Sequence, residues 1–451
     1  MQRKSRQLFE IISLLVVVMM ILGAAGITGV RAETSTEQEI FNMLDMPEKP
    51  ETLTVISQDI VTDPLAQTVE KFEQEQGIEV EWLEYPSGEL WDQLTTSIMG
   101  DDTFDVFYFS GSWQAELGAQ GMMLPLEDIA PRELLAELEG QYFQVAVDSL
   151  KAHDQLWGLP IVAATLHFFY NEAMLEELGY QEPPATWEEM LKMSREAVEA
   201  ELASYGFFPG WVSAHEDGMV WFDLMLKLHD GEWMNEERTE FIFNEESGVE
   251  ALTLMKEILD EGLVPRAALE QSDWDNFHYF LAGDQLFEIN WSFIYPFTVD
   301  PEMSEIADEV GVALIPGITR KSYTVLGPNG FGISPTTRSP EWAFKLMTYL
   351  TGEEAARGLL TSQHGSAAAF VELYDDHPEF TMEDYDLIEI FGEQMEYAGF
   401  RPSTYLTWYS EFRDNIFTPL MHEALLGEIE PQEALDQAQQ QAQEVLESEG
   451  L

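Results

Sequence analysis

The sequence has no cysteine among its 451 residues, and this absence excludes several kinds of structure. Without a thiol the chain can form no disulfide bond and cannot carry a lipid on a cysteine. The eight histidines are scattered rather than clustered, so a structural zinc site of Cys and His ligands is not expected. The sequence therefore predicts no bound metal, no cofactor and no lipid anchor.

Positive charge is scarce as well: 21 Lys and Arg stand against 84 Asp and Glu, a formal net charge of −63. A field of this sign repels phosphate backbones and anionic membrane surfaces, so nucleic acid is excluded as a partner. Hydrophobic residues make up 45% of the chain, too many for a disordered acidic tail. We expect a folded protein with a halophilic acidic surface, because the Debye length falls to about 3 Å in 1 M salt. A specific cationic ligand is the alternative explanation.

Motifs of familiar enzymes are also missing. The sequence contains no GxSxG nucleophile elbow, no HExxH zinc motif and no P-loop lysine motif. Paired carboxylates suited to glycoside hydrolysis could be found anywhere among 84 acidic residues, so their presence carries no information. Nothing in the motif content points to catalysis.

The N-terminus has the three parts of a secretory signal peptide. Basic residues in the first six positions precede an apolar stretch from Ile11 to Leu22, and Val30-Arg31-Ala32 provides a small-x-small cleavage site. Residues 1–32 are therefore predicted to be removed, which leaves a mature chain that begins at Glu33. An uncleaved anchor is the alternative, because residues 11–30 carry no charge and are just long enough to span a bilayer.

Strands and helices alternate from residue 53 onward. Residues 53–57, 78–83 and 106–109 are apolar runs typical of buried strands, and amphipathic helices are predicted between them. The first helix is expected to begin at Asp63-Pro64 and to end at Gly77. This β-α-β-α-β order with short connections is typical of a doubly wound, mostly parallel sheet.

Three later features mark element boundaries. Thr186 with Glu189 forms a capping box for a helix. Gly327-Pro328-Asn329-Gly330 has turn composition and precedes a strand predicted from Phe331 to Ser334. Pro431 begins a final amphipathic helix.

The third strand ends in Ser110-Gly111-Ser112-Trp113. In open α/β sheets ligands lie just beyond the carboxyl ends of strands. Two hydroxyls and an indole at such a position suit a polar ligand that also has an apolar face. The alternative is a buried strand and a turn whose tryptophan simply joins the core.

Taken in order, the chain resembles the extracellular solute-binding proteins of ABC importers, in particular the group that captures sugars. The resembling segments cover nearly the whole mature chain: LTVIS, FEQEQGIEVEW, FDVFYFSGSWQAELGAQGMMLPLEDI, GLPIVAATLHFFYNEAMLEELG, PPATWEEM, FLAGDQLFEINWSF, VGVALIPG, LGPNGFGIS, SPEWAFKLMTYLTGEEAARGLL and EALLGEIEPQEALDQAQQQAQEVL. The resemblance implies a two-lobed α/β periplasmic-binding-protein fold (type II), with a doubly wound, mostly parallel sheet in each lobe and the ligand cleft between the lobes. Lobe 1 would comprise residues 33–162 and 317–364, and lobe 2 residues 163–316 and 365–451.

The resemblance also implies a function. The protein would capture a mono- or oligosaccharide, or a polyol, and deliver it to the permease subunits of an ABC importer. The absence of cysteine, which excludes a lipid anchor, favours a soluble periplasmic monomer. A secreted sugar-active enzyme such as a glycosidase, or a ligand sensor for a membrane receptor, is the alternative. One departure concerns the ligand: maltose-type relatives place an acid and a base after the third strand, where this chain has Ser112 and Trp113. The resemblance therefore does not imply maltose.

Sugars present hydroxyl rims and C–H faces, so their sites combine stacking aromatics with planar polar side chains. For each candidate the alternative is core packing or a surface turn, and ligand contact is favoured most at Trp113, Trp211 and Trp291, where loop context and the resemblance agree. The full candidate set is Gln58, Asp59, Ser110, Ser112, Trp113, Tyr170, Trp211, Trp291, Asn329, Arg401, Tyr405 and Trp408.

Overall fold

The computed structural model describes residue 44 and residues 46–100, 103–152, 154–212, 216–360, 369–374 and 387–449. The predicted signal peptide, residues 1–32, lies outside the described residues. Among the helices of the described part, none combines the length and the apolar character needed to cross a membrane.

The strands form an eight-stranded mixed sheet and a separate two-stranded one. They are β1 (Thr52–Gln58), β2 (Glu79–Tyr85), β3 (Val106–Ser110), β4 (Lys151–Ala152), β5 (Gln155–Leu156), β6 (Gly158–Asn171), β7 (Phe287–Trp291), β8 (Val310–Ala313), β9 (Thr324–Ile333) and β10 (Ala398–Gly399).

Helices connect the strands and pack against several of them. They are α1 (Asp59–Gln76), α2 (Ser87–Met99), α3 (Gln114–Ala119), α4 (Arg132–Glu139), α5 (Gln144–Ser149), α6 (Glu172–Glu177), α7 (Trp187–Glu199), α8 (Asp217–Leu228), α9 (Glu246–Glu261), α10 (Asp273–Leu281), α11 (Tyr295–Thr298), α12 (Pro340–Thr351), α13 (Glu353–Leu360), α14 (Leu387–Met395), α15 (Tyr409–Glu411), α16 (Thr418–Leu425) and α17 (Pro431–Glu449). The final helix begins at Pro431, as predicted.

The large sheet has the strand order β2-β1-β3-β9-β6-β7, with β8 paired to β6 and β10 paired to β9. The predicted alternation of the first three strands and two helices is confirmed, and β1 pairs in parallel with both β2 and β3. The prediction of a mostly parallel sheet needs correction beyond that point. β9 pairs antiparallel with β3 and β6, and β7 and β8 pair antiparallel with β6. The reason is that β9 returns from the later part of the chain and enters between β3 and β6 from the opposite end.

The first helix begins earlier than predicted. It starts at Asp59, directly after β1, so Pro64 lies inside the helix instead of at its first position. A proline removes one intrahelical hydrogen bond, and buried Val61 and Leu65 on either side of it hold the helix on the sheet despite that loss. Gly77 ends the helix as predicted, in the left-handed region at φ 62°.

The Gly-Pro-Asn-Gly segment is not a turn. Residues 327–330 lie inside β9, between β3 and β6. Glycine is required there by crowding: a Cβ on Gly330 would lie 2.5 Å from the Leu159 carbonyl oxygen, and one on Gly327 would lie 2.6 Å from the Trp291 ring. The composition that indicated a turn instead marks a place where neighbouring strands and an indole approach the backbone closely.

The predicted cap of α7 is present. The Thr186 hydroxyl accepts a hydrogen bond from the Glu189 N–H at 3.2 Å. The reciprocal half of the capping box is shifted by one residue, because the Glu189 carboxylate accepts from the Ala185 N–H at 3.0 Å.

Candidate ligand-binding site

The end of β3 gathers several of the predicted polar residues. Ser110 lies opposite Asn329 in the antiparallel register of β3 and β9. The Ser110 and Ser112 hydroxyl oxygens are 2.9 Å apart, and the Gly111 N–H donates to the Pro328 carbonyl at 2.7 Å. This serine turn (Ser110–Ser112) is thereby fixed against β9. Its hydroxyls and the Asn329 amide lie together at the carboxyl end of β3.

Gln58 and Asp59 lie at the same end of the sheet, because Gln58 ends β1 and Asp59 follows it. β1 runs parallel to β3, with Ile56 opposite Phe107, so Gln58 lies at the level of the end of β3. Gln58 is half-buried and Asp59 is exposed at the start of α1. The structure therefore places both next to the serine turn, as expected for side chains that follow parallel neighbours.

Trp113 is half-buried and does not simply join the core. Its ring packs on Trp91 of α2, with ring centroids 5.2 Å apart and planes inclined by 70°. Trp91 was not among the sequence candidates. It follows Leu90, which with Leu94 forms the buried stripe of α2, and an indole just beyond such a stripe is the signal that could have identified it.

Arg401 pairs with Glu216, a carboxylate that was not among the sequence candidates. Its Nη1 lies 2.5 Å from Glu216 Oε2, and Arg413 Nη1 lies 3.2 Å from Glu216 Oε1. The Ser112 hydroxyl, from the turn after β3, acts to lower the pKa of the same carboxyl. Burial acts to raise the pKa of Glu216, but Arg401, Arg413 and Ser112 together hold that pKa below its ordinary value.

Trp291 ends β7, half-buried, a short distance along the sheet. It pairs with Leu166 on β6, whereas Asn329 pairs with Val162, four residues earlier on the same strand. At the rise of a β-strand that separation is about 13 Å. The Trp291 N–H donates to the Asn290 side-chain carbonyl at 2.8 Å, which fixes the chain as it leaves the strand.

Trp274 of α10 forms a partly exposed aromatic surface with Phe293 and Phe297, which follow β7. The Trp274 side chain is 50% exposed, and its ring centroid lies 5.8 Å from that of Phe293 and 5.9 Å from that of Phe297. None of the three was a sequence candidate, because exposed and buried aromatics are alike in a single sequence.

Asn290 connects Trp291 to a network of buried acids. The Asn290 amide donates to Glu288 Oε1 at 2.7 Å and to the Asp273 carbonyl at 3.1 Å. Asp273 Oδ1 accepts from the Gly210 N–H at 2.6 Å and from the Trp221 indole at 2.9 Å. Burial raises the pKa of Glu288 to about 8, and burial together with the Asp217 charge raises the pKa of Asp273 well above its usual range. No cluster of three or more His, Asp or Glu side chains in the described ranges is arranged to hold a metal ion.

Tyr170 lies apart from the other candidates. It pairs with Phe287 and Gly311, eight residues beyond Val162 on β6, or about 26 Å along the strand. A Cβ on Gly311 would lie 2.2 Å from the Tyr170 ring, so the ring covers that glycine.

Trp211, Tyr405 and Trp408 are packed by neighbouring side chains. Trp211 is 1% exposed and sits edge-on to Trp221, with centroids 6.5 Å apart. Trp408 is buried, and the Arg238 guanidinium lies 4.4 Å from the centroid of the Tyr405 ring. These are the positions that the core-packing alternative describes; ligand contact by the three stays a prediction.

The assembled groups suit the binding of hydroxyl-rich molecules. Hydroxyls, an amide and an ion cluster lie beside half-exposed indoles, a combination that both hydrogen-bonds and stacks. A hydroxyl–imidazole pair does occur at Thr165 and His167, 2.9 Å apart, but both are 0% exposed and no substrate can reach them.

Comparison with known proteins gives consistent matches. A family model described as bacterial extracellular solute-binding protein matches residues 67–383. A Brucella abortus (strain 2308) protein named as a binding protein is 23% identical over 407 residues, which cover 87% of this chain and 92% of that protein.

Two solved structures share the fold. A maltose-bound protein from T. maritima has a TM-score of 0.75 and 23% identity, covering 86% of this chain and 98% of that one. An ABC transporter solute-binding protein from Thermotoga lettingae, bound with alpha-D-tagatose, has a TM-score of 0.75 and 20% identity, covering 88% of this chain and all of the other (100%). The predicted α/β periplasmic-binding-protein fold is thereby confirmed.

Proposed function

We propose that this chain, which belongs to the bacterial extracellular solute-binding proteins, captures a carbohydrate or polyol and delivers it to the permease of an ABC importer. The family is defined by solute binding and not by catalysis, in agreement with the prediction that the chain is not an enzyme. Within that family, the side chains that line the site decide which solute is bound.

The observation that carries the proposal is the side-chain set at the carboxyl end of β3. Ser110, Ser112 and Asn329 supply hydrogen-bonding groups within one turn and its neighbouring strand. Trp113, half-buried against Trp91, supplies an apolar face beside them. Sugars and polyols combine hydroxyls with C–H faces and so can use both kinds of group at once.

The fold neighbours support this class of ligand, because the T. maritima protein is bound to maltose and the T. lettingae protein to tagatose. Maltose itself is not favoured here. Ser112 and Trp113 stand where maltose-type proteins have an acid and a base, so a different sugar or a polyol is the better expectation.

The cleft is proposed to lie between lobe 1 (33–162 with 317–364) and lobe 2 (163–316 with 365–451). Gln114 and Glu116 belong to the first and Thr404 and Ser410 to the second, so the hydrogen bonds Gln114–Thr404 and Ser410–Glu116 cross the proposed boundary. A ligand that touches both sides would bind most tightly when the lobes are closed, and its affinity would include the free energy of closing.

Export by residues 1–32 would place the mature protein in the periplasm from Glu33 onward. The absence of cysteine argues against a lipid anchor. A freely diffusing monomer that meets membrane permease subunits is therefore proposed.

A thermal-shift screen of neutral sugars, acidic sugars and polyols, with amino acids and short peptides as controls, tests the proposal. A ligand at 100 times its Kd stabilises a protein by about 2.7 kcal/mol, which is readily seen as a higher unfolding temperature. Stabilisation by one or a few sugars or polyols supports the proposal. Stabilisation only by amino acids or peptides would overturn it.

A further inference from the structure

Two of the few cations in this acidic chain converge on one carboxylate. Arg401 and Arg413 both donate to Glu216, at 2.5 Å and 3.2 Å. The Arg401 side chain is only 5% exposed and that of Arg413 18%, while Glu216 is 23% exposed. Buried guanidinium groups are costly unless paired, so Glu216 has a definite electrostatic task.

The cluster of Arg401, Arg413 and Glu216 borders the candidate site through two separate contacts. Ser410, three residues before Arg413, donates a hydrogen bond to Glu116 Oε2 of α3 at 2.8 Å. Gln114, at the start of α3 directly after Trp113, reaches the Thr404 carbonyl, three residues beyond Arg401, at 3.4 Å. The two arginines and Glu216 therefore lie next to the segment that follows the Trp113 indole.

The charges in the cluster balance. Arg413 also contacts Asp414, with Nε–Oδ1 at 2.6 Å and Nη2–Oδ2 at 3.0 Å. Two guanidinium groups thus face two carboxylates. Asp223 is the other acid near Arg401, but its oxygens accept from the Trp233 indole at 2.5 Å and the Tyr323 hydroxyl at 3.0 Å. Within the described residues, Glu216 is the carboxylate that hydrogen-bonds Arg401.

We infer that Glu216 determines the charge specificity of the site: by occupying Arg401 and Arg413 it selects neutral polyhydroxylated ligands and rejects acidic sugars. This inference rests on the proposed function. A ligand carboxylate would find both guanidiniums already paired and would meet the negative charge of Glu216. A neutral hydroxyl, by contrast, can donate to that carboxylate.

Removal of the Glu216 charge should reverse this preference. In Glu216→Gln the shape of the side chain and one acceptor are kept, but Arg401 loses its carboxylate partner. An acidic sugar could then provide the missing negative charge. Glu216 therefore selects ligands by their charge, whatever their reducing end or glycosidic linkage.

The test compares calorimetric affinities for matched pairs: glucose with glucuronate, galactose with galacturonate, maltose with maltobionate and ribitol with ribonate. Wild type is expected to bind a neutral member and not its acidic counterpart. In Glu216→Gln the ratio of acidic to neutral affinity should rise at least about tenfold, or 1.4 kcal/mol. Glu411→Gln, which removes an exposed acid from the same segment, should leave that ratio unchanged.

Wild type that prefers an acidic sugar, or an unchanged ratio in Glu216→Gln, would overturn the inference. Failure of wild type to bind any of the sugars or polyols would instead count against the proposed function. A second measurement needs no sugar. Glu216→Ala should unfold at a lower temperature than wild type. Sodium acetate should raise the unfolding temperature of this variant more than sodium chloride of equal concentration. If acetate gives no greater recovery than chloride, Glu216 is not the charge partner of the arginines.

Discussion

Trp113 and Trp91 pack edge to face, with ring centroids 5.2 Å apart and planes inclined by 70°. One indole comes from the turn after β3 and the other from α2, and both are half-buried. An aromatic pair of this geometry contributes about 0.5–1.5 kcal/mol beyond the area it buries. Trp91 therefore holds the Trp113 ring in one orientation.

Replacement of Trp113 or Trp291 by alanine should weaken ligand binding at least about tenfold, because truncation of a stacking aromatic costs on the order of 2 kcal/mol. The unfolding temperature of the ligand-free protein should change little, since both rings are half-exposed. Titration calorimetry with the best ligand from the screen measures the first effect and scanning calorimetry the second.

Trp211→Ala is the matched control, because this indole is fully buried and its loss should destabilise the fold by about 3–5 kcal/mol. If Trp113→Ala and Trp291→Ala bind normally, or unfold as early as Trp211→Ala does, these two residues belong to the core and not to the site.

Stability should fall as the pH rises because of Glu288. Burial raises the pKa of this carboxyl from 4.5 to about 8, so the folded state holds a proton that the unfolded state has lost. The resulting stabilisation is complete below about pH 4.5 and disappears as the pH approaches about 8. At about 1.4 kcal/mol per pKa unit the effect is on the order of a few kcal/mol.

Glu288→Gln has no proton to lose, so its free energy of unfolding should depend less on pH than that of wild type. Urea denaturation of both proteins across this interval measures the difference. Exposed Glu302→Gln should keep the wild-type dependence. Equal pH slopes for wild type and Glu288→Gln would show that Glu288 is already ionised in the folded protein.

The unfolding temperature should rise with salt. With a net charge of −63 the folded chain repels itself, and screening shortens the range of that repulsion to about 3 Å in 1 M salt. Thermal unfolding in increasing NaCl and KCl measures the effect, which should be similar for the two salts. A flat response would contradict adaptation of the surface to screening and would favour a specific cationic ligand.

The mature protein should begin at Glu33 when it is purified from its native host. Intact mass spectrometry measures this directly. A mass that still includes residues 1–32 would show that the apolar N-terminus is kept as an anchor.

The sequence predicted the parts of the site that depend on local order. The apolar run that ends at Ser110 identified β3, and parallel pairing placed Gln58 beside it. Long-range contacts were not predictable in this way. Residues 327–330 have the composition of a turn, yet the demand for small residues comes from the strands on both sides of β9.

Glu216 illustrates the same limit more strongly. It is one of 84 acidic residues, and its importance arises from two arginines that follow it by 185 and 197 positions. Trp211 illustrates the converse, because its loop context favoured ligand contact, whereas the surrounding aromatic side chains bury the ring. Only the fold decides which polar groups meet and which indoles are covered.

Sugar capture is tested most simply by a calorimetric titration of the intact mature protein with the sugar or polyol that stabilises it most. Sugar capture without catalysis predicts heat that saturates at one ligand per chain and then ceases, with the ligand recovered unchanged. Continuous heat after saturation, accompanied by new reducing ends, would rule out simple capture and show a sugar-active enzyme instead.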